Sequence, residues 1–268
     1  MNRVAVAQMT SSASVAQNLN QLIQIFRQAA EQEVKLLLLP ENFAFMGLHE
    51  TDKLTIAEVE GDGRIQSCVS HLASQYGVWV IAGTIPLKAN DGRVFASCLV
   101  FDALGKTVAR YDKIHLFDVT IPGGEFHQES RTIHPGENII VVDTPVGRVG
   151  LSVCYDLRFP ELYRQLVLQR AEILAVPSAF TAMTGAAHWE PLLRARAIEN
   201  LSYVLASNQA GTHENGRETY GHSMIVDPWG EICAEAKTNT SLVMAEIELS
   251  YLLKLRQHFP CNQHHKMA

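Results

Sequence analysis

The sequence predicts an α/β or α+β fold built on mixed sheets, and three observations carry that expectation. Short, wholly apolar runs at 36–39, 78–82 and 173–176 read as strands covered on both faces, because a half-exposed strand would alternate polar with apolar residues. Stretches with apolar residues at helical spacing lie between them. Two pairs of runs are joined by hairpin signals, which places antiparallel neighbours in the sheets. Such strands and amphipathic helices bury their apolar faces against one another, so helix layers must lie outside sheet layers.

The elements follow in order. A strand opens the chain at 4–8. A helix over about 16–32 sets Leu19, Leu22, Ile23, Phe26 and Ala30 at helical spacing. The run 35–39 is the next strand. A second helix over 63–76 groups Ile65, Cys68, Val69, Leu72 and Tyr76 on one face and leads into the strand 78–82. Runs 94–101 and 107–111 form a hairpin around Ala103-Leu-Gly105, and runs 139–142 and 148–153 form another through Thr144-Pro-Val-Gly147. Pro160 suits the first turn of a helix, since its missing N–H has no partner there to lose. A strand at 173–176, a helix over 188–200 and strands at 203–207, 223–226, 231–235 and 242–247 complete the pattern. A C-terminal helix and tail occupy 250–268, and no Pro/Gly/Ser-rich linker or internal repeat divides the chain, so one domain over 1–268 is expected.

Composition narrows the function. Among 268 residues, 47% are hydrophobic and 19% charged, which suits a large core. A net charge of −6 with no basic cluster argues against nucleic acid. No run of 18 apolar residues exists, so no membrane span is expected. The first strand starts almost at once, without a charged and apolar leader, which predicts a cytoplasmic protein. The five cysteines are too few and scattered for a disulfide scaffold, and Cys68, Cys98 and Cys233 lie in apolar runs that predict core positions. Eleven histidines form no His-Glu-x-x-His pattern and no Cys-x-x-Cys accompanies them, so neither a metal nor another cofactor is expected; His264-His265 reads as a solvated tail.

Three residues stand just past the ends of predicted strands: Glu41 after 35–39, Lys113 after 107–111, and Cys154 after 148–153. Strand ends and their loops are where chemistry collects in layered folds. A strand that stops abruptly before a helix lifts its next side chain out of the sheet, as in a nucleophile elbow. Singly, each residue has a bland use: a buried small thiol, a solvated turn carboxylate, a surface lysine. Together they supply a nucleophile, a base and an electrophilic stabiliser.

The chain resembles the carbon–nitrogen hydrolases of the nitrilase superfamily. The resemblance rests on Leu38-Leu-Pro-Glu41-Asn-Phe, Tyr111-Asp-Lys113-Ile-His-Leu-Phe, Gln128-Glu129-Ser130, Val153-Cys154-Tyr-Asp-Leu-Arg158-Phe-Pro-Glu161 and Pro177-Ser-Ala-Phe180. It continues through Gly185-Ala-Ala-His188-Trp-Glu190, Arg194-Ala-Arg-Ala-Ile-Glu-Asn200 and Gly221-His-Ser-Met-Ile-Val-Asp-Pro-Trp-Gly230, in order along nearly the whole chain. Nitrilases proper usually carry tryptophan after the cysteine; Tyr155 stands there, which resembles the Nit branch. Within that branch, Pro-Ser-Ala-Phe180 with Arg-Ala-Arg-Ala-Ile-Glu is most similar to the amidases of deaminated glutathione, and the ω-amidases of 2-oxoglutaramate are near neighbours.

The resemblance implies a four-layer α-β-β-α sandwich that dimerises through helices; the helix from Pro160 and the C-terminal segment 250–260 are candidate faces. It implies a catalytic Glu41, Lys113 and Cys154, with Glu129 as a second glutamate beside the lysine. A thiol attacks an amide carbonyl, Glu41 serves as base, and Lys113 with the Tyr155 backbone N–H holds the oxyanion. Arg158 is a candidate for a substrate carboxylate, because its planar fork binds carboxylates bidentately, and equally for an ion pair with Asp156 or Glu161. Phe43, Phe180, Thr184 and His127 are candidate pocket residues, with Pro122-Gly-Gly-Glu-Phe-His127 shaping the pocket. The expected partner is a small-molecule amide with carboxylates. Three functions compete: an amidase of deaminated glutathione, an ω-amidase releasing ammonia, and a non-catalytic binding scaffold.

Overall fold

The computed structural model describes residues 2–121, 126–237, 239, 241–264 and 266. The order of elements begins β1 (Arg3–Gln8), α1 (Val15–Glu31), β2 (Leu36–Leu38), α2 (Arg64–Tyr76), β3 (Trp79–Lys88), β4 (Val94–Phe101), β5 (Thr107–Asp112), β6 (Asp118–Thr120) and β7 (Phe126–Gln128). It continues β8 (Val141–Thr144), β9 (Gly147–Leu151), α3 (Pro160–Leu168), β10 (Ile173–Ser178), α4 (Ala182–Asn200), β11 (Tyr203–Asn208), β12 (Ala210–Thr212), β13 (Glu218–Tyr220), β14 (Met224–Val226), β15 (Ile232–Glu235), β16 (Ser241–Glu246) and α5 (Leu249–His258).

Two six-stranded sheets face each other, in the orders β16-β1-β2-β3-β4-β5 and β15-β14-β11-β10-β9-β8. In each, a parallel centre (β1-β2-β3 and β9-β10-β11) is flanked by antiparallel partners. The period-two alternation of β1 shows the layering: Val4 and Val6 join the core between the sheets, whereas Ala5 and Ala7 join the core beneath α1 and α2. On the far side, Leu162, Leu166, Trp189 and Leu193 of α3 and α4 pack onto the second sheet. The result is the four-layer α-β-β-α sandwich of mixed sheets. Among the described residues no helix is long and apolar enough to cross a membrane.

Some expectations need correction. The buried face of α1 includes Ile25 and Ala29, whereas Ile23 is 40% exposed on the flank of the stripe. Helix α4 starts six residues before the expected 188, and it carries Pro191 inside; Thr181 caps its N-terminus by accepting from the Thr184 N–H. Cys98 lies in the core, but Cys68 is only half-buried and Cys233 is exposed, because β15 is an edge strand that turns every second side chain to solvent. The strand before Cys154 ends at Leu151, since the backbone leaves the sheet two residues earlier to form the turn. On α3, Leu162 and Leu166 are buried against the second sheet, whereas Val167 is half-buried and Leu168 is exposed, so part of the helix still faces outward. Residues 122–125 of the expected pocket loop, and His265 of the histidine pair, lie outside the described residues.

Candidate active site

The loop after β2 carries Glu41. Leu39 N–H donates to Ile81 O at 3.0 Å, so the chain is still held as a strand when it reaches Pro40. The neighbouring strand makes room with Gly83: a Cβ there would lie 2.0 Å from Pro40 O, and the β3–β4 register shifts between Ala82 and Ile85. Thr84 Oγ1 accepts from Asn42 N–H (2.9 Å), and Gln209 Nε2, just past β11, donates to Glu41 O (2.9 Å). Glu41 is thereby fixed from both sheets.

Lys113 follows β5 and is 2% exposed. Its Nζ stands 2.9 Å from Glu41 Oε1 and 2.9 Å from each oxygen of Glu129. Glu129 is itself held by Phe117 N–H at 2.7 Å. Burial alone would drive the ammonium to lose its proton, but Glu129 and Glu41 outweigh that and hold its pKa well above the ordinary lysine value. Lys113 is therefore a buried permanent cation between two carboxylates.

Cys154 begins a short 3-10 helix, Cys154–Arg158, with φ of +48°, a left-handed conformation that L-residues adopt only when neighbours enforce it. The enforcement comes from Asp156, which is fully buried. Its carboxylate accepts from Val153 N–H (2.8 Å), Tyr111 O–H (2.7 Å) and His115 N–H (3.0 Å), and it lies 2.7 Å from His115 Nδ1. At the other end of the turn, the Arg196 guanidinium donates twice to Leu157 O. Burial pushes the Cys154 thiol well up, and the Glu41 carboxylate pushes it further; Lys113 and an N–H from Ala179 pull it back without overcoming them. The resting group is a neutral thiol beside a carboxylate.

These side chains open into one cavity, lined by Glu41, Lys113, Glu129 and Cys154 together with Tyr155, Arg158, Phe180, Thr184 and His127. The Arg158 guanidinium lies over the rings of Tyr155 (5.9 Å) and Phe180 (5.3 Å) and 3.2 Å from His188 Nδ1, and Asp156 is engaged elsewhere. A thiol, a carboxylate and a buried ammonium can together do acyl transfer: attack, proton movement and oxyanion stabilisation each have a group in place.

The chain matches the carbon–nitrogen hydrolase family model over residues 3–257. It belongs to the carbon–nitrogen hydrolase family. A relative from Yersinia enterocolitica named deaminated glutathione amidase is 43% identical, covering 99% of this chain and 93% of its own length. A human relative of the same name is 41% identical over 98% of this chain and 82% of its own. The crystal structure of the Caenorhabditis elegans NitFhit protein superposes with a TM-score of 0.93 at 41% identity, covering 99% of this chain; the chain spans 65% of that longer protein. The protein is a hydrolase of carbon–nitrogen bonds other than peptide bonds.

Within this hydrolase, one sequence expectation fails. Phe43 is fully buried in the core beneath α1 and α2 and stands outside the cavity wall, because the turn after Glu41 sends it inward. Phe45 and Met46 line the cavity instead. Sequence reasoning also missed Lys53, Asn215 and Arg217, which line the mouth. They sit in polar stretches that read as solvated loops, and the signal that could have found Arg217 was weak: β12 and β13 are three residues each. The support of the elbow was equally invisible, since Asp156 reaches Tyr111 and His115 more than 40 residues away and Arg196 lies 39 residues from Leu157.

Proposed function

We propose that this hydrolase cleaves the amide of deaminated glutathione to 2-oxoglutarate and cysteinylglycine through a thioester on Cys154. The observation that carries the reading is the meeting of Cys154 with the Glu41–Lys113–Glu129 cluster in one cavity. The names of the Yersinia and human relatives support the choice of substrate.

As Sγ attacks the carbonyl carbon, Glu41 takes the thiol proton. A base is required, because the thiol pKa is raised and little thiolate exists at neutral pH. The carbonyl electron pair moves onto oxygen, where Lys113 and the Tyr155 backbone N–H stabilise it. Collapse of this intermediate breaks the C–N bond, and Glu41 returns the proton to the departing amine. Water then attacks the thioester while giving a proton to Glu41, and the expelled sulfur takes that proton back. Glu129 is a positioning residue that keeps the ammonium aimed. Arg158 holds a substrate carboxylate, with Tyr155, Phe180, Thr184 and His127 as walls. The functional unit is a homodimer.

The test is a side-by-side assay with deaminated glutathione and 2-oxoglutaramate, following cysteinylglycine and ammonia respectively. Higher kcat/KM on deaminated glutathione is expected. Higher efficiency on 2-oxoglutaramate would make the protein an ω-amidase, and turnover of neither would remove the amidase reading.

A further inference from the structure

Arg158 satisfies one anionic end of the proposed substrate, yet deaminated glutathione has two: the α-keto acid on the acyl side and the glycine carboxylate on the leaving group. Away from the elbow helix, the cavity wall carries Lys53, from the 3-10 turn Asp52–Leu54, and Arg217, from the turn between β12 and β13. The two segments are tied together at the mouth, where Asn215 Nδ2 donates to Gly47 O at 2.8 Å. Both border exposed stretches, 48–51 on one side and 214–216 on the other.

Arg217 reaches inward. Its Nη2 donates to Ala179 O (2.5 Å), and Ala179 also supplies the N–H that meets the Cys154 sulfur. Its Nε is buried and has no hydrogen-bond partner among the described residues, which leaves a desolvated donor beside the cavity. Lys53 Nζ lies 2.9 Å from Glu50 Oε2. Glu50, whose side chain the cavity wall covers only in part, reports the local field: that cover pushes its carboxyl up, but Lys53, then Arg217 and His127, outweigh it and hold it below the usual carboxylate range. This corner thus already holds one carboxylate, Glu50, which Lys53 pairs and Arg217 also stabilises.

We propose that Lys53 and Arg217 form a second carboxylate subsite, which takes the glycine carboxylate of the leaving group. This rests on the deaminated-glutathione reading above. Arg158 stands on the same turn as the nucleophile, where the acyl group stays covalently attached. The Lys53–Arg217 pair stands at the mouth, through which the leaving group must depart before water attacks. The two cationic positions flank the Ala179–Phe180 segment beside Cys154, and each takes one anionic end of the substrate.

The test compares deaminated glutathione with its C-terminal amide, which keeps every atom of the reacting end and removes the distal charge. The wild-type enzyme should prefer the acid by about 10-fold or more in kcat/KM, the scale of a charge-assisted contact. Lys53→Gln and Arg217→Gln should each erase most of that preference, chiefly through KM, and Arg217→Lys should restore part of it. Arg217 also holds Ala179, so Lys53→Gln provides the variant that leaves the elbow alone. An equal loss on acid and amide in the Lys53 variant, or no wild-type preference, overturns the subsite while leaving the proposed function standing. Wild-type turnover of 2-oxoglutaramate but not deaminated glutathione overturns both.

Discussion

At the residue scale, the chemistry depends on a neutral thiol whose proton has one obvious acceptor. Cys154→Ala should abolish amidase activity with the fold intact, and mass spectrometry of wild-type enzyme quenched during turnover should place the acyl adduct on Cys154; an adduct on another cysteine would refute the thioester. Glu41→Gln and Lys113→Met should each lower kcat by at least about 100-fold, the usual scale for a general base or an oxyanion donor. Near wild-type turnover in Glu41→Gln would transfer the base role to another group. The raised thiol pKa has its own consequence. A group that holds its proton more tightly in the folded state is less ionised at every pH near its normal range. Iodoacetamide labelling of Cys154 should therefore lack the rise near pH about 8.5 that an ordinary thiol gives. Removing the Glu41 charge should bring the rise to lower pH than in wild type, and an ordinary profile in the wild-type enzyme would contradict the burial argument. The three reacting residues were legible because each stands within a few residues of the end of a strand. Phe43 was misread because adjacency in sequence does not give direction: the turn that presents Glu41 to the cavity turns Phe43 into the core.

At the element scale, the elbow is a short turn that cannot hold itself. Cys154 keeps a left-handed backbone because Asp156 ties the turn to Tyr111 of β5 and to the His115 loop. The sequence offered Asp156 only as an ion partner for Arg158, since Tyr111 and His115, which it uses besides the nearby Val153 N–H, lie more than 40 residues away in the chain. Asp156→Asn leaves one acceptor oxygen where two served and points an amide N–H at existing donors. A stability loss on the order of 2–4 kcal/mol is expected, as for a broken buried polar network. Denaturant unfolding checks it. Because the substrate-facing residues are untouched, kcat should fall more than KM rises; a KM effect alone would mean that Asp156 does not position the nucleophile. The longer elements were legible from their period. Helix α4 was misjudged at its start because the turn 182–187 carries few large apolar residues, and its one long side chain there, Met183, is 54% exposed.

At the scale of the whole molecule, layering was legible because strands apolar on both faces force cover on both sides. A pairing surface was legible only as the helix from Pro160 and the segment 250–260; on α3, Leu162 and Leu166 join the monomer's own core while Leu168 stays exposed. A second exposed apolar group lies outside α3. Trp229 (54% exposed), Phe259 (52%), Leu253 (53%) and Ile198 (47%) lie on the α4–α5 side. Trp229 and Phe259 meet edge to face at 6.1 Å, and Gly230 abuts Ile198, so at least three of the four are neighbours. Large apolar residues grouped at the surface mark interaction sites, and water contact with them is unfavourable in a lone chain. An isologous pairing would cover the patch on both copies at once. Light scattering at micromolar concentration should give about twice the 29.7 kDa chain mass. Trp229→Glu should return the mass to that of one chain, since a carboxylate at the centre of such a face is buried without a partner in the dimer and freely hydrated in the monomer. A wild-type mass of 29.7 kDa would refute the dimer. A dimer that survives Trp229→Glu would move the interface away from this patch.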